Sequence, residues 1–119
     1  MIKFKSLNKS NQFLNILKKS KMDNKYFTLF FDKNSTHKKS NKILNISFVM
    51  KKKIGNAVIR NKIKRKLKYA VQKILNENKQ IDMNCTYVIF GKNNVYKDKF
   101  NLVLNEMINT FLKIKKINS

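Results

Sequence analysis

Lys51 to Val71, KKKIGNAVIRNKIKRKLKYAV, gathers the side chains of this sequence best suited to chemistry with an anion. Lys52 and Lys53 precede a Gly55-Asn56 turn, and Arg60, Asn61, Lys62, Lys64, Arg65 and Lys68 follow closely. Cations at the start of a helix are repelled by its macrodipole, which favours negative charge there. A phosphate reverses the balance, because first-turn N–H groups and the surrounding lysines and arginines can all hold it. Asn61 carries donors and an acceptor, so it can meet a base edge or a 2′-hydroxyl as well as a phosphate.

Groups for bond-breaking chemistry are scarce. The six acids, Asp23, Asp32, Glu77, Asp82, Asp98 and Glu106, are scattered, and none has a carboxylate partner at a spacing typical of a metal-dependent nuclease. His37 stands between Thr36 and Lys38 with no second ligand or nucleophile nearby, and reads as solvated. Cys85 cannot form an intramolecular disulfide; it suits a reducing cytosol and a small buried side chain. No catalytic residue and no metal ligand is expected in the chain.

The whole composition points the same way as the basic stretch. Lys and Arg number 28 against 6 acids, for a net charge of +22 and a pI near 10.3. Such a chain repels itself unless a polyanion screens it, and nucleic acid is the expected partner. Nothing approaches the roughly 18 apolar residues of a membrane span, so a cytoplasmic protein without a membrane partner is expected. At 119 residues, the chain reads as one domain, 1–119.

Periodicity supplies the elements that must position the cations. Ile59, Ile63, Leu67, Ala70, Val71 and Ile74 recur at helical spacing behind an Asn56 cap, with Arg60, Lys64 and Lys68 on another face. Phe13, Leu14, Ile16 and Leu17 predict a short helix from Ser10 to Lys18, followed by a charged loop from Lys18 to Lys25. Tyr26 to Phe31 reads as an aromatic-rich strand, Asp32 to Asn41 as a hairpin loop, and Lys42 to Lys51 as an alternating strand, whole or split at a kink. Asn76 to Asn84 is a polar connector, Cys85 to Phe90 a central strand buried on both faces, and Tyr96 to Ile114 an amphipathic helix. A strand, long helix and strand in series imply a crossover with a parallel pair. Phe13 and Leu17, four apart, either anchor the first helix on the sheet or line an apolar groove. Phe30 either packs or stays open for stacking on unpaired bases.

The run Lys52 to Ala70, KKIGNAVIRNKIKRKLKYA, closely resembles the arginine-asparagine-arginine signature of the bacterial ribonuclease P protein family. Arg60, Asn61 and Lys62 fill its central places, with Lys62 keeping the charge of an arginine, and Lys64 and Arg65 match the pair after it. Leu7 to Leu17, Phe27 to Phe31 and YVIFGK from Tyr87 to Lys92 also resemble family segments. The chain departs from the pattern at Leu17, where a second aromatic is frequent, at Asn45 and Ser47, and at Lys51, where a serine often stands.

The resemblance implies an α+β fold: a small mixed sheet of about four strands with three helices, in αβββαβα order with a left-handed βαβ crossover. It also implies a protein that joins a catalytic RNA, as a 1:1 complex, to remove the 5′ leader from precursor tRNA. The RNA would carry the hydrolysis and hold most of the magnesium, with none held by the protein alone. Lys52, Lys53, Asn56, Arg60, Asn61, Lys62, Lys64, Arg65 and Lys68 match RNA-binding positions, and Phe13, Leu17 and Phe30 match a cleft for the single-stranded leader. Two other readings compete: a structural RNA-binding protein like those of the ribosome, and an independent protein nuclease, which the scarcity of acids disfavours.

Overall fold

Strand alternation decides which face of the sheet is buried, and the computed structural model, which describes residues 2–7, 10–33, 43–77 and 81–118, shows both faces in use. The elements are β1 (Lys3–Lys5), α1 (Ser10–Leu17), β2 (Ser20–Asp23), β3 (Phe27–Lys33), β4 (Ile43–Val49), α2 (Ala57–Glu77), β5 (Cys85–Gly91), α3 (Asn94–Lys97) and α4 (Phe100–Asn118). They build one sheet of order β1-β4-β5-β3-β2. The α2 crossover joins β4 to its parallel neighbour β5, while β3 runs antiparallel to β5 on the other side.

On one face Phe27, Leu29, Leu44, Ile46, Tyr87 and Ile89 are buried in a single cluster with Ile63, Leu67, Ala70, Val71 and Ile74 of α2. Val103, Met107, Phe111 and Ile114 of α4 complete that core, and the Phe111 ring meets Tyr87 edge-on at 5.1 Å. The α2 stripe and the α4 periodicity therefore pack as their spacing predicts. The opposite face carries α1, whose one buried side chain is Ile16, along with Val88, Thr86 and Ser47. Ser47 Oγ there accepts a hydrogen bond from the Leu7 amide at 3.0 Å.

The α+β class stands, with five strands rather than about four and the order βαβββαβαα rather than αβββαβα. β2 falls on the stretch read as a charged loop, and β1 lies ahead of the first expected element. Both are edge strands, held by backbone pairing to β4 and β3, and an edge strand needs few apolar side chains. The helix expected from Tyr96 is interrupted: Asp98 is extended at φ −95° and ψ 162°. The Lys66 ammonium donates to the carbonyls of Val95 and Asp98, and Tyr26 donates to the Asp98 carboxylate at 2.7 Å, so the break is pinned from two sides. α2 runs through Asn76 to Glu77, one turn's edge into the expected connector. His37 and most of the expected hairpin loop lie outside the described residues.

Cys85 is buried at the start of β5, where burial and the Asp82 charge push its thiol up to about 11. Its proton stays on at neutral pH, in keeping with a packing role. Gly91 closes the same strand directly beneath α2. A Cβ there would lie 2.6 Å from Met50 Sδ, 2.9 Å from Ile63 Cγ2 and 3.0 Å from Leu67 Cδ1. Gly91→Val is therefore expected to cost about 1–3 kcal/mol of stability, read as a lower urea midpoint at unchanged slope.

Candidate nucleic-acid interface

The chain enters α2 through a 3₁₀ turn, Lys52–Ile54, that leaves Lys52 and Lys53 exposed and tucks Ile54 against the core. Gly55 follows at φ 157° and ψ −169°, a conformation that side chains rarely adopt, and a Cβ there would press on Ile59 at 3.2 Å. Asn56 then caps the helix, its Oδ1 accepting from the Ile59 amide at 3.0 Å. No acid occupies the first turn of α2, so its remaining amides and the two lysines share one uncompensated positive field. Asn56→Ala is expected to lower stability by about 1 kcal/mol, measured by thermal or urea unfolding.

Along α2 the basic side chains divide. Arg60, Lys64 and Lys68 form one row at four-residue steps, and the exposed Asn61 and Arg65 lie toward solvent beside it. Lys62 is two residues from Arg60 and points nearly the opposite way; its Nζ sits 5.9 Å from the centre of the Tyr96 ring. Arg60 is half-buried, and its Nε is enclosed without a hydrogen-bond partner. A guanidinium held this way is already oriented before any ligand arrives, so less side-chain entropy is lost on binding. Lys66 is a cation of another kind, spent on the α3–α4 break. Its place at the margin of the apolar stripe, three residues after Ile63, is the sequence signal for that internal use.

A groove of about 650 Å³ opens where α1, the ends of β3 and β5, and the 3₁₀ turn meet. Leu17 and Phe30 line it, together with Phe90 and Lys51. Phe13 takes part indirectly, its ring 6.2 Å from that of Phe90. Phe90 is the hub: Phe30 meets it edge-on at 5.6 Å, and Lys51 Nζ stands 5.5 Å from its centroid. The three rings and the ammonium form a surface on which a base can stack while its phosphate finds a cation. Sequence reasoning missed Phe90 by treating CTYVIF as buried throughout. Its parity with Thr86 and Val88 puts it on the α1 face, at the strand end that α1 leaves partly open.

At the rim, Lys92 Nζ donates to Asp23 Oδ1 at 2.7 Å and to the Asn24 carbonyl at 2.7 Å. Hydrogen bonds from Lys92 and from Thr28 hold the Asp23 carboxyl below its ordinary range. Asp98 is likewise lowered, by Tyr26 and then Lys25. Acids here serve lysines and hydroxyls, and among the described residues no three His, Cys, Asp or Glu gather as a metal site. Among the described residues, no helix is long and apolar enough to cross a membrane.

Comparison with known proteins gives a consistent result. The family model described as Ribonuclease P matches residues 1–115. The ribonuclease P protein component of Carboxydothermus hydrogenoformans is 28% identical over 109 residues, covering 91% of this chain and 89% of that protein. Among solved structures, the RNase P protein of Staphylococcus aureus superposes with a TM-score of 0.67 at 21% identity, covering 93% of this chain and 94% of the other. That of Thermotoga maritima gives 0.62 at 24% identity, covering 92% and 96%.

Proposed function

The chain belongs to the ribonuclease P protein family, and from that premise we propose that it is the protein subunit of ribonuclease P, binding a catalytic RNA and the 5′ leader of precursor tRNA. The observation that carries this reading is the adjacency of two surfaces: the cation row of α2 with its capped, lysine-flanked entrance, and the aromatic groove that shares Lys51 and Lys53 with that entrance. Phosphates of the structured RNA are assigned to Arg60, Lys64, Arg65 and Lys68, with Lys52, Lys53 and Asn56 at the helix start; Asn61 reads a base edge or a 2′-hydroxyl. Lys62 belongs to the same set only if the RNA wraps to the Tyr96 side of the helix.

The leader is assigned to the groove, where unpaired bases stack on Phe30 and Phe90 beside Leu17, with Phe13 behind them. Favouring a strand that only the precursor carries makes the precursor bind more tightly than the product, which is the contribution a non-catalytic subunit can make to turnover. The hydrolysis and its magnesium ions are assigned to the RNA, in a 1:1 cytoplasmic complex, and no step is drawn through a metal on this chain.

The test is leader removal at low magnesium with cognate catalytic RNA alone, protein alone, and both. Efficient cutting at the mature 5′ end by the mixture only is the expected result. Cutting by the protein alone would move the chemistry onto this chain. RNA binding without stimulated cutting would make it a structural RNA-binding protein instead.

A further inference from the structure

The flank of α2 that faces away from the Arg60 row carries a second aromatic and basic surface, of which the assignments above touch Lys62 alone. Tyr69 and Tyr96 are 56% and 46% exposed. Tyr69 meets the Phe100 ring edge-on at 5.1 Å, and Lys62 stands over Tyr96 at 5.9 Å. Tyr96 and Phe100 flank the α3–α4 break, which Lys66 fixes to α2 through the Val95 and Asp98 carbonyls. The rings therefore stand on a braced platform rather than on a loose loop.

Charge decides what such a platform would take. Lys97 and Lys99 are exposed between the two aromatics, and neither they nor Lys62 is paired with a carboxylate among the described residues. The acid within the segment, Asp98, is turned to Tyr26 and Lys25. Glu77, farther along α2, is paired with Lys73. Exposed rings among unneutralised lysines fit a polyanion with flat faces. We propose that Tyr69, Tyr96 and Phe100, with Lys62, Lys97 and Lys99, form a second single-stranded RNA site, where unpaired bases stack on the tyrosines and the lysines hold the flanking phosphates. This site lies outside the groove and does not depend on the leader assignment.

The chain has four tyrosines and no tryptophan, and Tyr26 and Tyr87 are buried, so tyrosine emission can report on the exposed pair. The experiment titrates the full chain, carrying Phe30→Leu and Phe90→Leu to silence the groove, with a single-stranded oligoadenylate and separately with inorganic polyphosphate, following emission in the chain that keeps its tyrosines and titration calorimetry in every variant. Oligoadenylate is expected to quench the emission. Adding Tyr69→Leu and Tyr96→Leu should weaken oligoadenylate binding at least about fivefold, leave polyphosphate binding unchanged, and be rescued by phenylalanine at both positions. Unchanged oligoadenylate affinity in the leucine variant, or an equal loss for polyphosphate, overturns the proposal. So does sedimentation showing a dimer that the leucine variant dissolves, which would make the surface a contact between copies. Thermal melts of each variant separate these outcomes from loss of fold.

Discussion

Arg60→Ala combined with Arg65→Ala is expected to reduce affinity for the catalytic RNA about a hundredfold while leaving the fold in place. A hydrogen bond from a charged group contributes about 1.5–3 kcal/mol, and two such losses at the lower end of that range amount to roughly two powers of ten. The two residues lose it differently. Arg65 is exposed, whereas Arg60 is half-buried with an enclosed, unpartnered Nε, so an anion brought to it gains an oriented donor set. Each phosphate contact removed should also flatten the slope of log affinity against log salt by about 0.9 on duplex RNA surfaces, so the double variant should lose close to two.

The fold should survive because neither side chain belongs to the buried stripe of Ile63, Leu67, Ala70, Val71 and Ile74. The measurement is a salt series of RNA-binding titrations alongside thermal melts. A melt far below that of the parent protein would show that Arg60 supports the packing of α2, and the affinity loss would then say nothing about phosphate contacts. Lys62→Ala makes a useful companion: it points to Tyr96 rather than along the Arg60 row, so its loss should be smaller in the same assay.

The sequence made the buried elements legible because burial imposes a period. The α2 stripe, the alternation of β4 and the three-four spacing of α4 all record one face meeting the core, and all three pack as read. β1 and β2 left no such record: their side chains are mostly exposed, and what holds them is backbone pairing to β4 and β3, which composition does not encode. The α3–α4 break was hidden for a related reason. Its cause is distant in sequence, in Lys66 and Tyr26, while the local pattern from Tyr96 to Ile114 continues helical throughout. In the candidate interface, the motif located the cations but not their division between two flanks. That division became visible only when α3 was found beside Lys62.

Phe90→Leu is expected to reduce the preference for precursor over mature tRNA about tenfold, with little change in affinity for the catalytic RNA. Stacking of a base on an aromatic ring contributes about 1–3 kcal/mol, and leucine keeps most of the apolar volume while removing the flat face. Phe90 is the informative ring because it touches the others: Phe13 at 6.2 Å, Phe30 at 5.6 Å and the Lys51 ammonium at 5.5 Å all converge on it. Leu17 stands where the family often has a second aromatic, so β5 supplies a ring beyond the Phe13 that α1 carries. Measuring holoenzyme affinity for precursor and mature tRNA side by side isolates the effect, since only the precursor carries the leader. A tenfold loss on the precursor alone would place the leader on Phe90. Equal losses on both substrates would mean that the groove acts on the tRNA body or on the assembly of the complex. No loss on either would leave the cation row of α2, and not the groove, as the feature through which this chain acts.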